Sequence, residues 1–317
     1  MEISGYLARM TSTRDRSMLL ILLTVWISFA SVSSVFRSPA LFLDQSRFWI
    51  EIGIMAVAMF GVILAGGIDL SVASIMALCG VTILRLHSEC GMPIVLAALL
   101  GLIVGFLSGA LNGLIIGFGR IPDLIATLST MVIFRGAAYL VSQNRVYSNL
   151  PVGYRWLGEG TVLTVPVQWF LLIAFSGACL WFFHKSVYGR YVFAIGANRE
   201  AAVRVGIPVK WVTTGVYALS GIAAAVSALI YTARNNTAKG DDALGFELAV
   251  ITCVFLGGAS MKGGKGTLLG TFLGVLIIGS LRTGLILFGV SEPIRLLIFG
   301  SVLIVAASWN SRYRRVS

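Results

Sequence analysis

Long apolar segments alternate with short polar ones along almost the whole chain. Most of the apolar segments approach the roughly 20 residues that an α-helix needs to cross the hydrocarbon core of a bilayer. Two of them are short for a full span. The pattern predicts an all-α polytopic membrane protein with about ten transmembrane helices, some of them short or broken. The predicted helices cover residues 18–36, 49–66, 70–86, 92–117, 122–141, 166–183, 211–232, 246–259, 267–289 and 293–308.

The composition agrees with this pattern and excludes other classes of protein. Hydrophobic residues make up 57% of the chain and charged residues 12%, whereas soluble domains carry about 25% charged residues. A soluble or disordered chain is therefore excluded. The net charge is +11, but the basic residues lie between apolar segments rather than on one polar domain. This distribution favours loops that face anionic lipid over a nucleic-acid surface.

The distribution of lysine and arginine predicts the orientation. If the N-terminus is cytoplasmic, the cytoplasmic side carries about twice as many of these residues as the other side, as the positive-inside rule requires. We therefore expect both termini in the cytoplasm and one transmembrane domain over residues 1–317. The predicted cytoplasmic segments are the tail 1–17, the loop 184–211 and the glycine hairpin 257–267.

Two glycines and an aspartate interrupt nearly forty apolar residues at Gly66-Gly67-Ile68-Asp69-Leu70-Ser71. Unpaired backbone is costly in hydrocarbon, so a break persists only where protein or water covers it, and an ionisable group at membrane depth suggests function. The segment predicts a translocation path shaped by Gly66, Gly67, Asp69 and Ser71. A tight turn with Asp69 or Ser71 capping the next helix explains the same residues, and the two interpretations are compatible.

The loop after the sixth predicted span contains a short helix signal. Asn198 can cap a helix that begins at Arg199-Glu200-Ala201-Ala202, Gly206 can close it, and Pro208 stops it. A short amphipathic helix of this kind lies on lipid headgroups or docks into a groove on another protein. The spacing alone leaves both possibilities open.

The segment Gly257 to Thr267 combines glycine, lysine and threonine, as a phosphate-binding loop does. That motif requires Ser or Thr directly after Gly-Lys, whereas Gly266 follows Lys265. A tight basic hairpin is the favoured interpretation, and its glycines are Gly257, Gly258, Gly263, Gly264 and Gly266.

The hairpin also resembles the first break. Each places a Gly pair at the end of a short apolar segment with another helix soon after, and paired interruptions of this kind point to a transporter's substrate path. Elsewhere, small residues recur every fourth position at Gly101, Gly105, Gly109 and Gly113, which predicts close helix packing. No catalytic constellation stands out, and we expect no enzymatic activity, metal or other cofactor.

These segments together resemble the permease subunits of bacterial ABC importers for ribose, arabinose, xylose, rhamnose and autoinducer-2. The resemblance covers nearly the whole chain and is most specific in the Gly66–Ser71 break. The segments Tyr188–Ala202 and Gly257–Gly266 follow at the expected order and spacing. Ala73 and Ala249 stand where the family usually has Gly and an acidic residue.

The resemblance implies a multi-pass protein of the bacterial inner membrane that moves a small monosaccharide inward by alternating access. Its implied partners are a cytoplasmic ABC ATPase, a second permease subunit (identical or not) and a periplasmic sugar-binding protein. The residues Asn198, Arg199, Glu200, Ala201, Ala202 and Gly206 would couple it to the ATPase. Two alternatives stay open: a permease for branched-chain amino acids, and an ion-coupled secondary transporter that uses Asp69.

Overall fold

The computed structural model describes residues 13–148 and 150–312, and helices account for most of them. The helices are α1 (Thr13–Val32), α2 (Ser34–Arg37), α3 (Pro39–Ser46), α4 (Ile50–Leu64), α5 (Val72–Ser88), α6 (Ile94–Gly117), α7 (Asp123–Ser142), α8 (Val152–Glu159), α9 (Val167–Lys185), α10 (Val187–Ala197), α11 (Arg199–Arg204), α12 (Val209–Asn235), α13 (Phe246–Leu256), α14 (Leu268–Leu287) and α15 (Glu292–Arg312). Four two-residue strands pair as antiparallel ribbons, β1 (Tyr147–Ser148) with β4 (Thr237–Ala238) and β2 (Thr161–Val162) with β3 (Val165–Pro166).

Helix α4 forms the centre of the bundle. Every residue from Ile50 to Leu64 is buried, because α9, α10, α12, α13 and α14 surround it. A helix that is apolar on all sides is stable only where other elements cover the whole of it. The side chains that α6, α7 and α9 expose are also apolar, among them Leu140 at 79% and Val95 at 70% exposure. Lipid is the solvent that suits such a surface.

The glycine stripe of α6 packs against α12, as the sequence predicts. A Cβ atom added to Gly105 would lie 2.5 Å from the Gly221 carbonyl oxygen, and one on Gly113 would overlap Thr214. Gly101 instead accommodates Ile83 of α5. The small residues therefore bring α6 and α12 backbone to backbone, which gives close packing where no hydrophobic effect holds helices together.

The predicted apolar segments all correspond to helices. Within residues 13–148 and 150–312, five helices (α6, α7, α9, α12 and α14) are long and apolar enough to cross a membrane, and α3 with α4 forms a sixth candidate bent by 64°. Apolar stretches of α1, α5, α13 and α15 are shorter. Helix α1 already begins within the predicted tail 1–17, of which residues 1–12 lie outside the described residues.

Short elements at the far end of the bundle from the Gly66–Ser71 break escaped the hydropathy pattern. Ribbon β1–β4 lies beside α5, where the Tyr147 hydroxyl donates to Glu89 over 3.0 Å. That hydrogen bond and the neighbouring Arg85 guanidinium hold the pKa of Glu89 below its usual value. Helix α8 packs so closely against α12 at Gly158 that a Cβ added there would overlap the Arg234 backbone. These elements are too short to produce a hydropathy signal.

Candidate translocation and coupling site

The break after α4 and the hairpin after α13 begin with the same backbone motif. The Gly66 amide donates to Ile63 and the Gly67 amide to Val62, and in the second segment the Gly258 amide donates to Phe255 and the Ala259 amide to Val254. Both Gly66 and Gly258 have positive φ angles, of 87° and 100°. This is the Schellman end of a helix, in which glycine takes the left-handed position. The resemblance between the two segments is therefore structural as well as sequential.

Side chains from two other helices hold the break in place. The Asp123 carboxylate accepts a hydrogen bond of 2.7 Å from the Ile68 amide, and the Thr127 hydroxyl donates to the Ile68 carbonyl over 3.1 Å. The Tyr217 hydroxyl of α12 donates to the same carbonyl over 3.4 Å. The backbone that the helix break frees is thus paired by α7 and α12, as a break inside a membrane protein requires.

Asp69 lies in a fully buried polar cluster between α5, α6 and α12. One carboxylate oxygen accepts hydrogen bonds from the Ser71 amide and hydroxyl, at 2.9 and 2.6 Å. The other accepts from the Ser220 hydroxyl at 2.8 Å, and Asn112 donates to the Ser71 hydroxyl at 2.7 Å. Asp69 therefore caps the turn before α5 and joins three helices, with its carboxylate enclosed by protein.

Replacement of Asp69 tests whether its carboxylate has a structural role or acts as an ion relay. Asp69→Asn retains an oxygen acceptor for Ser71, so we expect the protein to fold and to keep most of its transport activity. Asp69→Ala leaves three buried donors without an acceptor, each at a cost of about 1–3 kcal/mol, and should lower both thermal stability and uptake. Thermal unfolding in detergent and uptake into vesicles measure the two effects. Loss of uptake in a stably folded Asp69→Asn protein would indicate an ionisable relay instead.

The predicted coupling segment forms the short helix α11 with the expected caps. The Asn198 side chain accepts a hydrogen bond of 3.0 Å from the Ala201 amide, and Gly206 takes a positive φ of 81° just beyond the helix. Only Ala202 is buried, whereas Val203 and Val205 are 58% and 75% exposed. Helix α10 precedes it and was not predicted, since its apolar positions are too few to resemble a span.

The three segments that stand out in the sequence meet at one point, which we call the glycine junction (Gly66, Gly196, Gly263 and Gly264). The Gly264 amide donates to the Leu64 carbonyl over 2.8 Å and so caps the end of α4. A Cβ on Gly196 would overlap that carbonyl, and one on Gly263 would lie 2.8 Å from Gly66. Only residues without side chains allow the backbones of the break, the end of α10 and the hairpin to approach this closely.

A cavity of about 460 Å³, the break-side cavity, opens beside the junction between α6, α7, α11 and α12. Gly66 and Gly67 form part of its wall, and a Cβ on Gly67 would lie 2.5 Å from the Tyr217 hydroxyl oxygen. Asp69 and Ser71 do not line it. Two of the four predicted path residues thus border open space, while the other two lie behind them in the polar cluster.

A second cavity, of about 520 Å³, lies at the opposite end of α12. Aromatic rings and guanidinium groups line its wall. The guanidinium carbon of Arg234 lies 4.7 Å from the centre of the Phe48 ring and 5.4 Å from that of Tyr231, and the guanidinium carbon of Arg282 lies 4.8 Å from the centre of the Phe246 ring. Such contacts between cations and aromatic faces are attractive. This set, which we call the arginine–aromatic ladder, connects the start of α4 with α12, α13 and α14.

Beneath the ladder, Arg234 forms a buried ion pair with Glu51 of α4. Two guanidinium nitrogens donate to one carboxylate oxygen at 3.0 and 3.1 Å, and the two side chains are 10% and 0% exposed. Helix α4 therefore contacts later parts of the chain at both of its ends, through the glycine junction at its C-terminal end and through this ion pair at its N-terminal end.

Known proteins of similar sequence show the family of this chain. Residues 43–307 match a family model described as the permease component of the branched-chain amino acid transport system. The ribose import permease protein RbsC of Bacillus subtilis is 38% identical over 90% of this chain and 89% of its own. The Escherichia coli K12 protein of that name is 37% identical over 80% of both chains. The chain belongs to the family of bacterial ABC importer permeases.

A further relative has a different substrate in its name. The autoinducer 2 import system permease protein LsrD of Escherichia coli strain SMS-3-5 is 33% identical over 90% of the permease and 88% of its own chain. No solved structure matches. The permease is thus a transport component and a multi-pass protein of the inner membrane.

The sequence identified the three segments of the permease but not all of the residues through which distant parts of the bundle contact each other. Asp123, Gly196 and the Glu51–Arg234 pair were not predicted as site residues. Asp123 follows Pro122 at a helix start, but its carboxylate accepts a hydrogen bond from the distant Ile68 amide rather than capping its own helix. The Glu51–Arg234 pair spans 183 positions, and no local pattern reveals such a contact.

Proposed function

We propose that this chain is the permease subunit of an ABC importer that moves a small monosaccharide into the cell by alternating access. The observation that carries the proposal is the 33–38% identity with ribose and autoinducer-2 import permeases along most of the chain. Importers of this kind need an ATPase pair, a second permease and a binding protein. A ribose-like pentose, a deoxyhexose or an autoinducer-2-like sugar fits the names of these relatives.

The proposed topology has ten spans with both termini in the cytoplasm. The five long helices, the bent α3–α4 pair and four shorter apolar helices supply the spans. Short helices suffice where protein surrounds them, as it does α4, α5 and α13. The positive-inside rule then puts α11 and the hairpin 257–267 in the cytoplasm.

In this proposal α11 docks into the ATPase. Exposed Val203 and Val205 beside charged Arg199 and Glu200 give it the mixed surface of a docking helix. The glycine junction then supplies a short mechanical route, because a displacement of α11 moves Gly196 directly against the end of α4. ATP binding would favour the conformation in which the two ATPases close, and the bundle would follow.

ATP hydrolysis is assigned to a separate chain. The hairpin carries no Gly-Lys-Ser or Gly-Lys-Thr sequence, and three of its amides are used by the fold: Gly264 donates to Leu64, Ser260 to Lys265 and Gly263 to Ser260. Backbone amides that are already paired cannot form a phosphate cradle. This favours a structural role for Gly257, Gly258, Gly263, Gly264 and Gly266.

Replacement of coupling residues should separate docking from folding. We expect Glu200→Ala and Gly206→Val to reduce sugar uptake at least about tenfold while membrane insertion is retained, since Glu200 is exposed and a Cβ on Gly206 meets open space. A β-branched side chain at the left-handed φ of Gly206 would distort the helix end. Uptake and sugar-stimulated ATP hydrolysis in proteoliposomes with the partner ATPase measure the effect. Unchanged values for both variants would remove α11 from the docking surface.

Two rival functions differ in what reconstituted vesicles require. A branched-chain amino acid permease, to which the family description points, predicts uptake of leucine rather than ribose with the cognate binding protein. A secondary transporter predicts uptake by this chain alone, driven by a proton or sodium gradient and indifferent to ATP. Ribose uptake that needs ATP and both partners supports the importer and excludes these two.

A further inference from the structure

The break-side cavity concentrates positive charge. Arg120, Arg199 and Lys210 line it, and Asp123 is the one acidic residue that the described part of the chain contributes to its wall. The Asp123 carboxylate already accepts the Ile68 amide, so part of its charge is engaged by the break. Three cations that surround one cavity form a favourable setting for an anion.

The interior of this cavity contains a polar group that lacks a partner. Thr213 lines the cavity and is 4% exposed, and its hydroxyl makes no hydrogen bond with any described residue. Its neighbour Thr214 instead donates to the Lys210 carbonyl over 3.0 Å. Buried hydroxyl groups are nearly always hydrogen-bonded, so the Thr213 hydroxyl points to a polar ligand at this place.

The rim next to the basic residues is aromatic and apolar. The Lys210 ammonium lies 5.2 Å from the centre of the Phe118 ring, and Phe118 packs edge-on against Trp211 at 5.1 Å. Phe118, Ile121 and Trp211 are 42%, 42% and 62% exposed. Tryptophan with neighbouring Lys and Arg is typical of the depth at which lipid headgroups lie. An anionic headgroup at this depth has its acyl chains directly beside it.

We propose that the break-side cavity binds the phosphate group of an anionic phospholipid from the leaflet on this side of the membrane. Arg120 and Lys210 would neutralise the phosphate, the Thr213 hydroxyl would donate to a headgroup oxygen, and the acyl chains would lie along Phe118 and Trp211. Basic pockets between helices at this level are suited to anionic headgroups. Because Arg199 belongs to α11 and Gly66 to the break, the lipid would join the coupling helix to the bundle.

This inference goes beyond the import function and does not depend on it. The test uses the purified full-length permease in detergent and titrates it with two lipids that share acyl chains, dioleoylphosphatidylglycerol and dioleoylphosphatidylcholine. Native mass spectrometry counts the bound lipid. We expect one phosphatidylglycerol to be retained in preference to phosphatidylcholine. Arg120→Gln and Lys210→Gln should each weaken its binding by about fivefold, the effect of one basic residue near an anionic headgroup.

Matched variants keep the test specific. Thr213→Val preserves the shape and charge of the cavity and should also weaken phosphatidylglycerol binding. Lys185→Gln removes an exposed lysine outside the cavity and should leave phosphatidylglycerol binding unchanged. Size-exclusion profiles identify any variant that fails to fold. Equal retention of the two lipids, or equal losses in Lys185→Gln and Lys210→Gln, would overturn the proposal.

Inorganic phosphate, added as a third ligand, distinguishes the two sources of the anion. If inorganic phosphate displaces the lipid only at concentrations far above that of the phospholipid, the result supports the lipid assignment. Equal affinity for inorganic phosphate would assign the cavity to a free anion and overturn it.

Discussion

Replacing Gly196 by alanine is expected to abolish transport by separating the coupling loop from the break. An added Cβ would overlap the Leu64 carbonyl oxygen and lie close to the Gly264 amide. Both are backbone atoms, which cannot rotate away as a side chain could. Overpacking typically costs about 1–3 kcal/mol, and here it also breaks the Gly264–Leu64 hydrogen bond. Thermal unfolding of the purified permease and sugar uptake in proteoliposomes measure the loss.

Gly177→Ala provides the matched control. Gly177 also lies within a helix, but a Cβ added there meets no atom within 4 Å. Alanine favours a helix over glycine by about 1 kcal/mol, so this variant should be at least as stable as the parent. A Gly196→Ala protein that transports as well as Gly177→Ala would show that the junction does not depend on close backbone contact.

Replacing Glu51 by glutamine is expected to destabilise the permease by about 3–5 kcal/mol. The substitution leaves the Arg234 charge buried without its counter-ion, and breaking a buried pair from one side costs this much. The arginine–aromatic ladder should loosen as well, because Arg234 is held between Phe48 and Tyr231. The shift of the unfolding midpoint in detergent measures the cost.

Two further variants make the interpretation specific to the pair. In the ion pair Arg47–Asp44 the carboxylate is 54% exposed, so this pair serves as a control, and Asp44→Asn should change stability by less than about 1 kcal/mol. The double variant Glu51→Gln with Arg234→Met removes both charges and should recover part of the loss. If Glu51→Gln costs no more than Asp44→Asn, the pair contributes little to the contact between α4 and α12.

The local features of the permease could be predicted because short stretches of sequence determine them. Apolar runs of sufficient length become helices wherever lipid or protein surrounds them, so each predicted span has a helix at its place. Asn198 and Gly206 end α11 as the capping rules require. The glycines at every fourth position from Gly101 to Gly113 likewise lie on one helix face, and that face packs closely as predicted.

The long-range contacts depend on how the helices are arranged in space, and no spacing along the chain predicts them. The sequence alone marked a Gly-Gly-Ile-Asp break, a capped loop and a glycine hairpin as three separate segments. Only the tertiary structure brought them together, because glycines from each permit backbones distant in sequence to touch at one point. It also paired Asp69 with Ser220 and Glu51 with Arg234. Burial there makes each charge depend on a partner, and the packing of the bundle decides which residue that partner is.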